Sequence, residues 1–351
     1  MKVPFERQAL QMIYQRLAEL LDEKRLEACP DADDPLSHTD RVFRVGPFVF
    51  VVEWKGSGRS AAVTAGIEQV RNRAKGIDGI VVPLVAVPFM GEVGGRRCAD
   101  AEVSWMDLSG NARIFAPGLR VLIEGKPNRY KRLGRPSTVF APKSSRIPRW
   151  LLMHAAHPVS RREIARATGM DEGYTSKIVG RLEDDGLVVQ DDDGAIRPRD
   201  PDLLLDAWRE AYDFSKHHLI RGHVAARAGD ALLRQLADVL NQGPVSYAAT
   251  GLAGAWLLDH YVGFRVATLY LDEEPSTELL SALSFRSEAR GANVWLVIPN
   301  DEGVFHGATK LDGIRCVHPV QVYLDLGAHT ERAEEAAHKL RSEHLNWKAD
   351  D

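Results

Sequence analysis

Ser160-Arg-Arg-Glu-Ile-Ala-Arg-Ala-Thr-Gly169 is followed, after Met170, by Asp171-Glu-Gly-Tyr-Thr-Ser-Lys-Ile-Val-Gly-Arg-Leu-Glu-Asp-Asp-Gly186, and then by Leu187-Val-Val-Gln190 and Ala195-Ile-Arg-Pro-Arg199. Ser160 and Glu163 suit a capping box for one helix, and Gly169 supplies the tight turn that ends it. Asp171 can cap the next helix, where Thr175, Ile178, Val179 and Leu182 recur at i, i+3, i+4 and i+7 as one buried stripe. The other face carries Gly173, Tyr174, Ser176, Lys177 and Arg181. Small residues there allow close approach, and the hydroxyl, ammonium and guanidinium groups can reach base edges or phosphates. Gly186 stops this helix, and the apolar runs on either side of Asp193-Gly194 predict a hairpin with Arg197 and Arg199 on its returning arm. Ile147, Trp150, Leu151 and Leu152 make a preceding helix, broken at Pro158. The whole reads as a winged helix-turn-helix over residues 145–225, expected to bind double-stranded DNA. Asp184, Asp185 and Asp191 to Asp193 count against this by placing negative charge near the reading surface. They cluster at the helix end and wing tip, so the face of the third helix stays clear.

The 351 residues allow two or three domains, and a hydrophobic fraction of 44% is ample for their cores. The net charge is only −4, so any nucleic-acid surface must be local. No apolar run approaches the ~18 residues that span a bilayer, and the amino terminus lacks a signal-peptide pattern, so a cytoplasmic protein without membrane association is expected. Cys29, Cys98 and Cys316 are far apart with no CxxC pair. That argues against both a disulfide framework and a structural zinc site.

Upstream, Leu10, Ile13, Tyr14, Leu17, Leu20 and Leu21 give a helical period from about Pro4 to Leu26, with Glu6 in the first turn. Further on, Arg41-Val-Phe-Arg-Val45 and Phe48-Val-Phe-Val-Val-Glu-Trp54 flank Gly46-Pro47, which suits a two-residue hairpin turn with φ > 0 at the glycine. Counting outward from a Val45–Phe48 pair puts Asp40 across from Glu53, with Cβ atoms ~5 Å apart. Lys55 points to the same face. Two carboxylates beside an amine can hold Mg²⁺ or Mn²⁺, which would activate water against a phosphodiester. A helix over 60–75 and a buried strand over 79–89, interrupted at Pro83, come next. A new unit opening at Gly94-Gly95 then leads to Trp105-Met-Asp-Leu-Ser-Gly-Asn111. This alternation predicts an α/β sheet for residues 1–119. Asp107 and Asn111, in a turn, could approach the Asp40/Glu53 site.

These residues resemble the PD-(D/E)XK nuclease superfamily, with Asp40 matching its metal-binding Asp and Glu53-Trp54-Lys55 its E-x-K. Thr39 stands where that motif has Pro. Archaeal Holliday-junction resolvases add a Glu on the preceding helix, which Glu6 matches, and Gln69 fits the superfamily's frequent Gln. The resemblance implies a restriction-endonuclease-like fold. It also implies an alternative function, a metal-dependent DNA endonuclease using Asp40, Glu53, Lys55, Glu6 and Gln69, with Asp40 and Glu53 holding the metal.

Residues 120–144 are rich in Arg and Lys against Glu124 alone, and Pro127, Gly134, Pro136 and Pro142 predict an irregular basic linker. Lys131, Arg132, Arg135 and, just beyond, Arg146 are placed to track phosphates beside the groove being read. Past the wing, residues 201–223 predict a closing helix, whose His217, His218 and His223 match no metal spacing. Residues 226–351 form a further α/β domain, with strands over 264–271 and 293–298, an element over 320–324 that could be strand or helix, and a charged helix over 330–345. Its order resembles the nucleotidyltransferase-like fold. Leu252 after Gly251, and a strand ending Asp272-Glu273-Glu274 without a DxD pair, argue against nucleotidyl transfer.

Four segments together resemble the AbiEi-type antitoxins of type IV toxin-antitoxin systems. They are Trp105-Met-Asp-Leu-Ser-Gly-Asn-Ala-Arg-Ile, Arg181-Leu-Glu-Asp-Asp-Gly-Leu-Val, Asp202-Leu-Leu-Leu-Asp-Ala-Trp and Thr250-Gly-Leu-Ala-Gly-Ala-Trp, within roughly Val49 to Val322. The resemblance implies a regulator that binds promoter repeats through its winged helix and represses its operon. It implies a carboxy-terminal domain that opposes a nucleotidyltransferase-like toxin. DNA binding of this kind requires no cofactor, and a homodimer is expected by analogy with regulators that read inverted repeats.

Overall fold

The computed structural model describes residues 3–21, 27–28, 41–130, 138–287, 290–330 and 332–347. The chain divides into two compact units, Met1–Arg135 and Pro136–Asp351.

The first unit runs α1 (Glu6–Leu20), β1 (Glu27–Ala28), β2 (Val42–Val45), β3 (Phe48–Trp54), α2 (Ser60–Ala74), β4 (Ile80–Val87), α3 (Glu92–Asp100), β5 (Ser104–Asp107), β6 (Ala112–Ala116) and β7 (Leu119–Ile123). Its seven strands form one sheet in chain order. β3, β4 and β5 are parallel, joined through the crossover helices α2 and α3. The β2–β3 hairpin has the expected register, Val45 facing Phe48, with Gly46 at φ 56°. Both faces of the sheet are covered. On one, Ile13 and Leu17 of α1 meet Phe50, Val52, Leu84 and Ile114. On the other, Val63, Ile67 and Val70 of α2 meet Val51, Val85, Val87 and Trp105. Burial on two faces is why β3 and β4 read as continuous apolar runs without alternation.

Three expectations for this unit are corrected. Pro83 does not interrupt β4: it pairs with Val51, and β5 joins only from Leu84 onward, so on that side Pro83 has no neighbour strand to donate to. Gly94 and Gly95 lie inside α3 and open nothing. A Cβ on Gly94 would sit 2.8 Å from Met90 Sδ and 3.1 Å from the Gly58 carbonyl, so the glycine allows close helix packing. Residues 119–123 are a strand, and the segment after it stays tied to this unit, through Lys126 N–H to Asn111 Oδ1 and Arg129 N–H to Ser109 Oγ. The basic linker expected to begin at 120 therefore begins later. Asp107 is occupied locally: its carboxylate accepts from the backbone of Met90, Gly110 and Asn111 and from the Asn111 amide.

The second unit opens with a 3-10 turn at Thr138–Phe140. The winged helix follows: α4 (Arg146–Met153), α5 (Arg161–Thr168), α6 (Glu172–Asp184), β8 (Val188–Gln190), β9 (Ile196–Pro198) and α7 (Pro201–Ala211). Val159 bridges Ile196 and adds a short third partner to the wing. The remaining elements are β10 (His218–His223), α8 (Gly229–Leu240), β11 (Tyr247–Thr250), α9 (Gly251–Asp259), β12 (Ala267–Leu271), α10 (Thr277–Ala282), β13 (Arg286–Ser287), β14 (Val294–Ile298), β15 (Thr309–Leu311), β16 (Ile314–Cys316), α11 (Pro319–Leu326) and α12 (Ala333–His344). Their sheet has the order β13-β10-β14-β12-β11-β16-β15. The helix expected through residue 223 ends at Ala211. His218–His223 is instead a strand of this sheet, paired with Val294–Ile298.

The winged helix is built into the rest of its unit. Phe140 stacks on Trp208 of α7. Arg341 of α12 binds Asp202 and Asp206 of α7 at 2.8 and 2.5 Å. Trp347 donates its indole N–H to the Leu152 carbonyl at 3.1 Å. No helix among the described residues is long and apolar enough to cross a membrane.

Candidate nucleic-acid interface

The reading head forms as its local signals dictate. Ser160 and Glu163 exchange both capping-box hydrogen bonds, and Gly169 takes a left-handed conformation at φ 66°. The Asp171 carboxylate accepts from Tyr174 N–H at 2.7 Å and starts α6. Thr175, Ile178, Val179 and Leu182 are buried, so Gly173, Ser176, Lys177 and Arg181 are presented to solvent. Arg197 and Arg199 are exposed on the returning arm of the wing. The wing loop is longer than expected: Asp191 and Ala195 still pair, leaving Asp192, Asp193 and Gly194 as the turn.

Two residues of the expected DNA set are committed inside the unit. Tyr174 is half-buried, with its hydroxyl 2.7 Å from Ser144 Oγ, so it braces α6 and does not project from it. Arg146 makes a bidentate pair with Asp301 at 2.8 and 2.7 Å and meets Glu302 at 3.1 Å, with 13% of its side chain exposed. It is a strut from α4 to the carboxy-terminal half of the unit. Asp301 holds the Arg146 guanidinium above the usual arginine range, so a phosphate would have to displace a formed carboxylate pair. Lys131, Arg132, Arg135 and Asp40 lie outside the described residues. Two cations that sequence reasoning passed over, Arg162 and Arg166 of α5, are exposed beside the start of α6. Their i, i+4 spacing just after the Ser160 cap was the available signal.

In the first unit the structure brings together Glu6, Glu53, Lys55 and Gln69, but as an ion-pair network. Buried Glu53 receives Arg41 at 2.8 Å and Arg73 at 2.6 Å on one oxygen and Lys55 at 3.1 Å on the other. Arg41 also binds Glu6, and Lys55 binds Gln69. Burial alone would raise the Glu53 pKa; the three cations outweigh it and hold the carboxyl below its usual range. Asp40, the other half of the expected metal pair, lies outside the described residues, so only the Glu53 side of that pair is seen. With both oxygens of Glu53 claimed by cations, the described donors do not fit a divalent ion, because binding one would first break three ion pairs. Adding Mg²⁺ or Mn²⁺ is therefore expected to leave supercoiled plasmid intact and the melting temperature unmoved. Metal-dependent nicking that disappears in Glu53→Ala would reverse this reading. Among the described residues one other trio, Asp259, Glu343 and His344, brings ligand atoms within 4.8 Å of one another, mostly at the surface.

A buried polar relay lies between α4 and the carboxy-terminal sheet. Arg149 Nη1 donates to Gln321 Oε1 at 2.6 Å, and Gln321 Nε2 donates to Asp325 Oδ1 at 2.7 Å. Thr250 Oγ1 donates to the other Asp325 oxygen at 2.6 Å, and Tyr212 donates its hydroxyl to Asp325 Oδ1. His217 Nδ1 accepts from Asn300 N–H at 3.1 Å, so a neutral His217 carries its proton on Nε2, 2.9 Å from the Tyr212 oxygen. Thr268 and Tyr270 stand on one face of β12, and Tyr270 also contacts the relay. Asp325, saturated with donors, is the carboxylate there.

Burial lifts the Asp325 carboxyl to about 6 and depresses His217, His318 and His329 to about 4 from an ordinary 6.5. The two shifts act in opposite directions on stability. The histidines favour the folded state above 6.5, a contribution lost as pH falls through about 4. Asp325 favours it below the ordinary 3.8, a contribution lost as pH rises through about 6. Three groups oppose one, so the melting temperature should fall on going from about pH 7 to about pH 4.5. A flat or rising value in calorimetry over that range would contradict the assignment.

Residues 149–196, from α4 into the wing, match the family model described as MarR family. Residues 197–346 match the model described as "Transcriptional regulator, AbiEi antitoxin, Type IV TA system". Over this stretch, less than half of the chain, the sequence is similar to the AbiEi antitoxin family. The AbiEi segment and the winged helix together make it a DNA-binding transcriptional regulator. The AbiEi match begins at Arg197, inside the wing, so the family's segment includes α7 and with it the Asp202 and Asp206 contacts to α12. No curated protein and no solved structure matches the chain.

Proposed function

We propose that this regulator reads operator DNA in the promoter of a toxin–antitoxin operon through α6, with Ser176 and Lys177 at base edges and Arg181, Arg197 and Arg199 toward the backbone. The observation that carries this is the sidedness of α6: one stripe is fully buried, and the opposite face presents small, hydroxyl and cationic residues to solvent. A second copy of the chain would read the other half of an inverted repeat. The family description, an antitoxin of a type IV system, supports an opposing role toward a toxin; the carboxy-terminal sheet domain would carry that role, and the toxin would be nucleotidyltransferase-like. The ion pairs on Glu53 favour a non-cleaving first unit, and the proposed contacts of α6 call on no Mg²⁺, Mn²⁺ or other cofactor.

The test is a footprint on the promoter of the chain's own operon. Protection of a repeated motif, with affinity falling steeply as salt rises, is expected. Binding indifferent to sequence and to salt would reject the reading.

A further inference from the structure

Residues 145–200 carry nine Lys and Arg against ten Asp and Glu, a poor balance for a surface that meets a polyanion. Cations and acids mix at the start of α6, and Arg181 stands in its last turn, but residues 183–185 and 191–193 carry acids alone. At its start exposed Arg162 and Arg166 line a notch of about 610 Å³ together with the acids Glu163, Asp171 and Glu172, and Arg162 approaches Glu172 at 3.6 Å across the surface. Exposed Ser176 and Lys177 follow. At its end Glu183, Asp184 and Asp185 are exposed, and the terminal carbonyls add the negative end of the helix dipole. The wing loop follows one short strand later, where Gln190 accepts from Arg161 at the start of α5 at 2.9 Å. Asp191 turns its carboxylate onto Ala195 N–H at 2.7 Å, and Asp192 and Asp193 are exposed at the tip, with Gly194 at φ 82° closing the turn. Arg197 and Arg199 belong to the wing's stem.

We propose that the tip of this regulator's wing is held off the DNA, with Asp192 and Asp193 discriminating against non-specific duplex while Arg197 and Arg199 on the stem keep their backbone contacts. Base reading is confined to the amino-terminal half of α6, and Arg162 and Arg166 are added phosphate contacts. This rests on α6 being the reading helix. The physical reason is that non-specific binding consists almost wholly of attraction to phosphates. Carboxylates within a Debye length, about 8 Å at physiological salt, subtract from that attraction on every sequence. On the correct sequence, base contacts offset the loss. The acids therefore lower affinity and raise the specific-to-non-specific ratio, which is discrimination by repulsion.

The test compares the full chain with Asp192→Asn/Asp193→Asn on two probes, a short mixed-sequence duplex and the duplex that the wild type enriches from a random library. On the mixed duplex the double variant should bind about fivefold tighter. The gain on the enriched duplex should be smaller, so that the ratio falls. Hydroxyl-radical footprints of the wild type should show no minor-groove protection attributable to the wing tip, and Arg162→Ala/Arg166→Ala should weaken both probes alike. Unchanged or weaker binding by the Asn variant, or minor-groove protection that it abolishes, overturns the proposal while leaving α6 as the reader. Failure of the wild type to retain any duplex at low salt overturns the reading of α6 itself.

Discussion

Replacing Arg149 with methionine is expected to destabilise the second unit by about 3 kcal/mol or more. Arg149 is buried in a layer that holds the Asp325 carboxylate, and the Gln321 amide stands between the two charges. Removing the cation leaves a buried carboxylate with only neutral donors, which is the costly way to break a buried pair. Arg149 also lies over the Trp208 ring at 4.9 Å, so packing between α4 and α7 is lost with the charge. Asp325→Asn in the same background should recover part of the loss, giving a coupling of at least about 1 kcal/mol in a double-mutant cycle. Urea unfolding of the four proteins measures it. Strict additivity would mean that Gln321 insulates the charges and does not relay between them.

The largest effect on binding is expected from α6. Ser176→Ala/Lys177→Ala should weaken binding to the enriched duplex by roughly two orders of magnitude, since each good base contact is worth ~1–3 kcal/mol. Both side chains are exposed, so the melting temperature should stay within the small range typical of surface substitutions. Lys177→Ala alone separates two roles. A phosphate contact would lower the salt slope by about 1 and act on all sequences, whereas a base contact would relax preference at one position. An unaltered footprint in the double variant would remove α6 from the interface.

What could be read from the sequence was what depends on near neighbours. Ser160 with Glu163, Gly169, Asp171 and the stripe from Thr175 to Leu182 are within one or two turns of one another, and all took their expected places. Gly46-Pro47 set the β2–β3 register for the same reason. The misreadings involve distant partners. Arg146 looks like a free cation until Asp301, 155 residues on, folds against it. Tyr174 looks like a reading residue until Ser144 meets its hydroxyl. His218–His223 carries too little alternation to announce a strand, and its neighbour begins at Val294. Around Glu53 the sequence supplied the acid and the lysine, but the convergence of Arg41 and Arg73 depends on how α2 lies across the sheet.

The dependence of α4 on distant partners also bears on synthesis. Arg149 waits 172 residues for Gln321, and the Leu152 carbonyl waits 195 for Trp347. At ribosomal speeds of about 5–20 residues per second, that interval is roughly 10 to 40 seconds. Through it the nascent DNA-reading head lacks the helices it packs on, while the first unit already has its whole sheet in hand. A message broken before those codons would yield a complete first-unit sheet joined to a winged helix that lacks its Gln321 and Trp347 contacts, so truncated products should be far more open to proteolysis after Arg135 than the full chain.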